Sequence, residues 1–126
     1  MFSTLSLVAL GGAVGASLRY LMGLAVLRLT GPSEFPVAIL GANVLGSFLM
    51  GIVVVLAAQK GLAQLGPLVM TGLLGGFTTF SAFSLETVTL MERGAFGAAG
   101  LYVGLSVALS VGGLMLGLAL ARGVIA

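Results

Sequence analysis

The chain contains no cysteine, no histidine and no aspartate. Without thiols there is no disulfide, no thiolate nucleophile and no soft-metal site, and without imidazole there is no histidine proton relay. Charge is the next scarcity. Only 6% of the 126 residues are charged, five Lys or Arg against three Glu, whereas an average soluble domain carries about 25%. The cations are scattered and form no basic run, so the net charge of +2 implies neither a nucleic-acid partner nor a headgroup-binding tail. With no metal-ligand cluster and no nucleophile–base constellation, enzymatic chemistry is also excluded.

Apolar residues fill the space that charge leaves. They make up 60% of the chain, and the mean hydropathy is +1.28, which describes an all-α integral membrane protein. A span of about 20 residues crosses the hydrocarbon core, so the length suits a single four-helix transmembrane domain over residues 1–126. Charges, prolines and polar clusters divide the chain into apolar runs at about 3–27, 35–58, 66–91 and 97–120. The connections expected between them are Arg28–Glu34, Gln59–Leu65 and Glu92–Phe96, all short helix–helix loops. The first run lacks a basic n-region and outlasts an h-region, which reads as a retained span rather than a signal peptide.

The third run holds an anomaly. Gly72-Leu73-Leu74-Gly75-Gly76-Phe77-Thr78-Thr79-Phe80 places helix-breaking glycines and paired hydroxyls at the middle of a membrane helix. A helix that stops near Gly75 and restarts near Thr79 leaves carbonyls and amides without intrahelical partners where no bulk water can satisfy them. The carbonyl end suits a cation and the amide end an anion. A kink patched by threonine hydroxyls is the plainer alternative.

Loop charges leave topology undecided. Lys60 and Arg122 fall on the side of the N-terminus, Arg28 and Arg93 on the other, and a balanced tally favours neither orientation. Either one orientation is fixed by other features, or both insert and pair as an antiparallel dual-topology homodimer. In that dimer the two-fold axis lies in the membrane plane. The middle of the third run, about residue 78, could then meet its own copy on that axis.

A short set of polar groups lies too deep to reach water. Asn43, the only asparagine, is about 5 Å from the middle of the second run, as interhelical glue or as a ligand. Tyr102, Ser106 and Ser110 recur every four residues and share one face of the fourth helix as a polar track, which ends at Leu114. A serine can instead return its hydroxyl to its own helix. The third run adds Ser81 and Ser84, with Phe77, Phe80 and Phe83 at steps of three. Phenyl edges carry partial positive charge and can line an anion path, though such stripes are also ordinary packing. Arg19 and Glu86 approach the same membrane face; they either pair or leave Arg19 to hold an anion-concentrating vestibule, with snorkelling as the alternative. The pairs Gly11/Gly15, Gly100/Gly104 and Gly113/Gly117 are small-residue spacings suited to close helix packing.

Three stretches resemble the Fluc/CrcB fluoride channels of microorganisms: Gly11–Tyr20, Ala42–Phe48 and Gly75–Ser84. The likeness runs in order over nearly the whole chain. The resemblance implies a fluoride-selective passive channel in the inner (plasma) membrane, working as an antiparallel dimer with two pores and a central structural sodium ion. It places the sodium on the backbone carbonyls of Gly75 and Thr78 from both copies. The anion pore maps onto Asn43, Phe80, Phe83, Tyr102, Ser106 and Ser110; the polar reading of the third run adds Ser81 and Ser84 to that pore, and the charge reading adds Arg19 and Glu86 as its vestibule. Ala82 and Leu114 depart from the family pattern, which commonly has threonine at the first and a hydroxyl residue at the second. Two rival readings are a small proton-coupled exporter, for which Glu86 is the sole titratable candidate within a run, and a membrane assembly subunit without transport.

Overall fold

The computed structural model of the protein describes residues 2–31 and 35–125. Those residues form four helical spans long and apolar enough to cross a membrane: Ser3–Thr30, Val37–Gln59, Pro67–Glu92 and Phe96–Gly123. The chain is therefore an all-helical, multi-pass membrane protein. The first span is α1 (Phe2–Thr30), the second α2 (Val37–Gln59) and the last α5 (Phe96–Ile125). A 3-10 turn, Ala63–Leu65, leads into the third span.

The third span is not one regular helix. It begins as a π-helix over Pro67–Leu74, tightens into the short α3 (Gly75–Phe77), and resumes as α4 (Phe80–Glu92). Between α3 and α4 the backbone is extended at Thr78 (φ −90°, ψ 158°) and Thr79 (φ −154°, ψ 127°). Nothing in the side-chain pattern distinguishes the π-helical residues from ordinary helix formers, and a π-register is rare outside single turns.

Helix ends explain where the expected boundaries shift. The first connection was expected from Arg28, but α1 continues through Thr30. Arg28 in the last turn complements the helix dipole, and the Thr30 hydroxyl donates to the Val26 carbonyl at 2.7 Å. Pro32, Ser33 and Glu34 of that connection lie outside the described residues. After α4 the turn is forced: Gly94 takes φ +81°, its N–H donates to Met91 O at 3.0 Å, and Ala95 N–H donates to Leu90 O at 2.9 Å. This is a Schellman closure, in which a left-handed residue lets the chain reverse at once into α5.

The most extensive packing is α2 along α5, followed by α1 along the π-helix. Both contacts bring backbone against backbone. A Cβ on Gly15 would strike the Leu73 carbonyl, and one on Gly117 would strike the Phe48 carbonyl; in lipid such close approach replaces the missing hydrophobic drive. Gly11 lies equally tight against Leu68 O, and Gly113 is near Val44 O. Gly100 and Gly104 differ from that expectation, for a methyl group at either would meet nothing else of the described chain within 4 Å. Leu90, Ala99 and Tyr102 form a buried cluster, with Phe35, Ile39, Leu40 and Phe83 packed around it.

Candidate functional site

The centre of the site is the extended pair Thr78–Thr79, whose exposed peptide groups need partners. Asn43 of α2 supplies them as if it were a neighbouring peptide. Thr79 N–H donates to Asn43 Oδ1 at 2.8 Å, and Asn43 Nδ2 donates to Thr79 O at 3.1 Å. The side-chain amide thus matches a donor with an acceptor and an acceptor with a donor. Gly46, one turn beyond on α2, makes the approach possible: a Cβ there would strike the Thr78 methyl.

Thr79 also starts α4. Its Oγ1 accepts from Ala82 N–H at 3.1 Å and lies 3.2 Å from Ser81 Oγ, an N-cap that satisfies one orphan amide of the new helix. At the other side, Arg19 of α1 donates from Nε to Gly76 O at 3.2 Å. A cation at the carbonyl end of α3 is the favourable sense of the helix dipole. Arg19 therefore holds the backbone of the third span, a role that the expected alternatives of vestibule or pairing with Glu86 did not include.

These diverted bonds bear on metal binding. In a continuous helix Thr79 N–H would donate to Gly75 O and Ala82 N–H to Thr78 O; both donors are instead spent on Asn43 and on Thr79 Oγ1. Two carbonyl oxygens lose their helical donors while Gly76 O between them is taken by Arg19. Carbonyl oxygen is the ligand type for a hard cation, so Gly75 and Thr78 fit such an ion. Among the described residues no group of three or more His, Cys, Asp or Glu could hold one.

Beside the extended pair lies a cavity of about 280 Å³ between α2, α4 and α5, lined by Asn43, Ser47, Thr78, Thr79, Phe80, Phe83, Ser106 and Ser110, with Val107 and Val111. The structure thus brings Asn43, Phe80, Phe83, Ser106 and Ser110 to one wall. Phe80 and Phe83 stack at 5.3 Å with an angle of 43°, and Phe83 in turn lies 5.2 Å from Tyr102. Phe80 is 78% exposed within the single chain, and Phe77, the first of the three phenylalanines, is buried and does not line the cavity.

The hydroxyls separate into two kinds. Ser17, Thr78, Ser84, Thr87 and Thr89 all return to the carbonyl four residues earlier, the silent arrangement for a helical hydroxyl. Ser106 does not. Its Oγ and the Tyr102 hydroxyl are buried without a hydrogen-bond partner among the described residues. Such a group costs about 1–3 kcal/mol when left unmade, and Ser106 faces the cavity. Ser81 is exposed beside Thr79, Ser84 is spent on Phe80 O, and neither they nor Tyr102, Arg19 and Glu86 line the cavity. Two polar lining residues, Ser47 and Thr79, were not among the expected pore residues, nor were the apolar Val107 and Val111. Ser47 had a signal, since it follows Asn43 by four positions and so shares its helical face.

Four apolar spans, with a cavity among the second, third and fourth whose wall includes Asn43, Ser47, Thr79, Ser106 and Ser110, define a small multi-pass membrane protein with polar groups gathered at one internal site. Residues 6–118 match the family described as CrcB-like protein, Camphor Resistance (CrcB). The chain belongs to that family. It is 66% identical over 125 residues, 99% of each chain, to a protein of Ruegeria sp. (strain TM1040) named fluoride-specific ion channel FluC. Proteins of the same name from Roseobacter denitrificans and Cereibacter sphaeroides (strain ATCC 17029 / ATH 2.4.9) are 70% identical over 122 residues and 60% identical over 123, covering at least 96% of each chain.

Proposed function

We propose that the chain forms a fluoride-selective passive channel; its relatives carry the name fluoride-specific ion channel. The observation that carries the reading is the Ser106 hydroxyl, buried and unpartnered on the wall of a cavity that Asn43 also lines. Fluoride is small and strongly hydrated, so a path must replace its water with closely spaced donors. The candidates on the cavity wall are the Ser106 and Ser110 hydroxyls, the second Asn43 Nδ2 hydrogen and the ring edges of Phe80 and Phe83, with the buried Tyr102 hydroxyl one turn before Ser106 on α5. A larger halide needs fewer replaced hydrogen bonds and more room, and gains less from such donors. No titratable side chain lines the cavity among the described residues, which favours passive conduction over proton-coupled export. In the inner membrane of a cell with a negative interior, the net movement would be outward.

The same reading takes Thr78–Thr79 as a helix break at the bilayer midplane and pairs two oppositely oriented copies across it, giving two pores. The balanced loop charges and the exposure of Gly75, Phe80 and Ser81 within one chain support that pairing. A structural sodium ion bound by Gly75 and Thr78 carbonyls of both copies would supply a fixed positive charge at the axis. Fluoride efflux from liposomes containing the purified protein, followed with a fluoride electrode, tests the channel. We expect efflux well above protein-free liposomes and little chloride flux; no fluoride flux would overturn the reading.

A further inference from the structure

Among the described residues of the third span, Thr79 alone bonds α2 through its backbone and α4 through its side chain, and each bond removes the helical donor of a different carbonyl. Its N–H goes to Asn43 Oδ1 at 2.8 Å, leaving Gly75 O; its Oγ1 takes the Ala82 N–H at 3.1 Å, leaving Thr78 O. Gly76 O, between them, accepts Arg19 Nε at 3.2 Å. We infer that Asn43 and Thr79 are positioning residues for a cation held by the Gly75 and Thr78 carbonyls, and that Arg19 withdraws the intervening carbonyl from the ligand set. The inference rests on the proposed sodium site and goes beyond it. Asn43, a residue assigned to the anion path, decides together with Thr79 whether the cation site exists.

The hydrogen-bond chemistry sets the requirement. Asn43 must present an acceptor and a donor at once, because the Thr79 peptide offers one N–H and one C=O. Asn43→Asp keeps the acceptor for Thr79 N–H but sets its second oxygen against Thr79 O, so one of the two bonds is replaced by repulsion and the extended pair is displaced from the geometry that presents Gly75 O and Thr78 O. At position 79 only the hydroxyl matters. Thr79→Val preserves shape and releases Ala82 N–H to Thr78 O, whereas Thr79→Ser keeps the cap. Asn43 also faces the cavity, so the cation site and the anion path share one side chain.

The test measures sodium binding without conduction. Purified full-length protein in detergent is titrated with sodium chloride against choline chloride, in the absence of fluoride, by isothermal titration calorimetry and by the sodium-dependent shift in thermal unfolding. Wild type should bind sodium. Asn43→Asp and Thr79→Val should each weaken it about tenfold or more, the loss expected when one charge-assisted carbonyl contact is withdrawn. Thr79→Ser should stay within about threefold of wild type, and Thr89→Val, whose hydroxyl returns to Leu85 O at 2.8 Å, should not change it. Helix content by circular dichroism shows that each variant is folded before it is scored. Wild-type affinity in both folded Asn43→Asp and folded Thr79→Val would overturn the positioning role while leaving the sodium site standing. Absence of sodium binding in wild type would overturn the site itself and the inference with it.

Discussion

Asn43 shows how far one residue can depart from the role its chemistry suggests in isolation. An amide deep in a membrane helix reads equally as glue or as ligand; here its oxygen and one N–H are committed to the Thr79 peptide, 36 positions away, and one hydrogen remains for the cavity. The sequence distance is why the pairing was illegible beforehand. Ser106 is the converse. Its spacing from Tyr102 and Ser110 marked a polar face, and the unpaired hydroxyl separates it from the helical hydroxyls that serve themselves. Opposite signs are therefore expected for its two functions. Ser106→Ala should raise resistance to unfolding by about 1 kcal/mol, because a buried unsatisfied group is removed, while lowering fluoride flux by about tenfold or more, equivalent to roughly 1.4 kcal/mol in the path. Paired measurement of denaturant unfolding and liposome efflux checks both; unchanged flux would make the hydroxyl irrelevant to conduction. Phe80→Ile and Phe83→Ile should likewise cut throughput without disturbing helix content, since isoleucine fills space without a ring edge. Full flux in both variants would mark the rings as packing residues.

The four elements were legible because their limits follow from composition. Each span falls within a few residues of the apolar run that announced it, and α1 overruns because Arg28 and Thr30 are satisfied at a helix C-terminus. The π-register of Pro67–Leu74 was not legible. It depends on how the segment meets α1, where Gly11 and Gly15 press against Leu68 O and Leu73 O, and no local pattern encodes that meeting. Glycine spacing alone overstated packing as well: Gly11/Gly15 are used inside the chain, while Gly100 and Gly104 face open space. A paired substitution tests this distinction at the element scale. Gly15→Ala should destabilise the protein by about 1–3 kcal/mol, because the new methyl meets a backbone carbonyl that cannot rotate away. Gly23→Ala has nothing within 4 Å and should be neutral or stabilising by up to about 1 kcal/mol through helix propensity. Unfolding in sodium dodecyl sulfate, read by circular dichroism, measures both, and equal effects would discount the α1–π-helix contact.

For the whole molecule, the decisive quantity is the balance of loop charge. Lys60 and Arg122 oppose Arg28 and Arg93, all four exposed, so the insertion machinery receives no net instruction. A protein built to work in one orientation gains nothing from that balance, whereas the proposed antiparallel pair, in which Thr78–Thr79 of each copy would meet near the axis, requires it. Added charge therefore separates the possibilities. Gln59→Lys with Gln64→Lys adds two cations to the N-terminal side, and Leu29→Lys with Gly97→Lys adds two to the opposite side; all four positions are exposed. Each double variant expressed alone should insert mainly one way and lose most fluoride efflux. Co-expression of the two should restore it, because the opposite orientations then meet in one membrane. Cysteine-labelling from either side, after introducing single cysteines into this cysteine-free chain, reports the orientation independently of function. Full efflux from either variant alone, with labelling proving a single orientation, would exclude the antiparallel pair and leave the cavity of one chain, or a parallel assembly, to carry the ion.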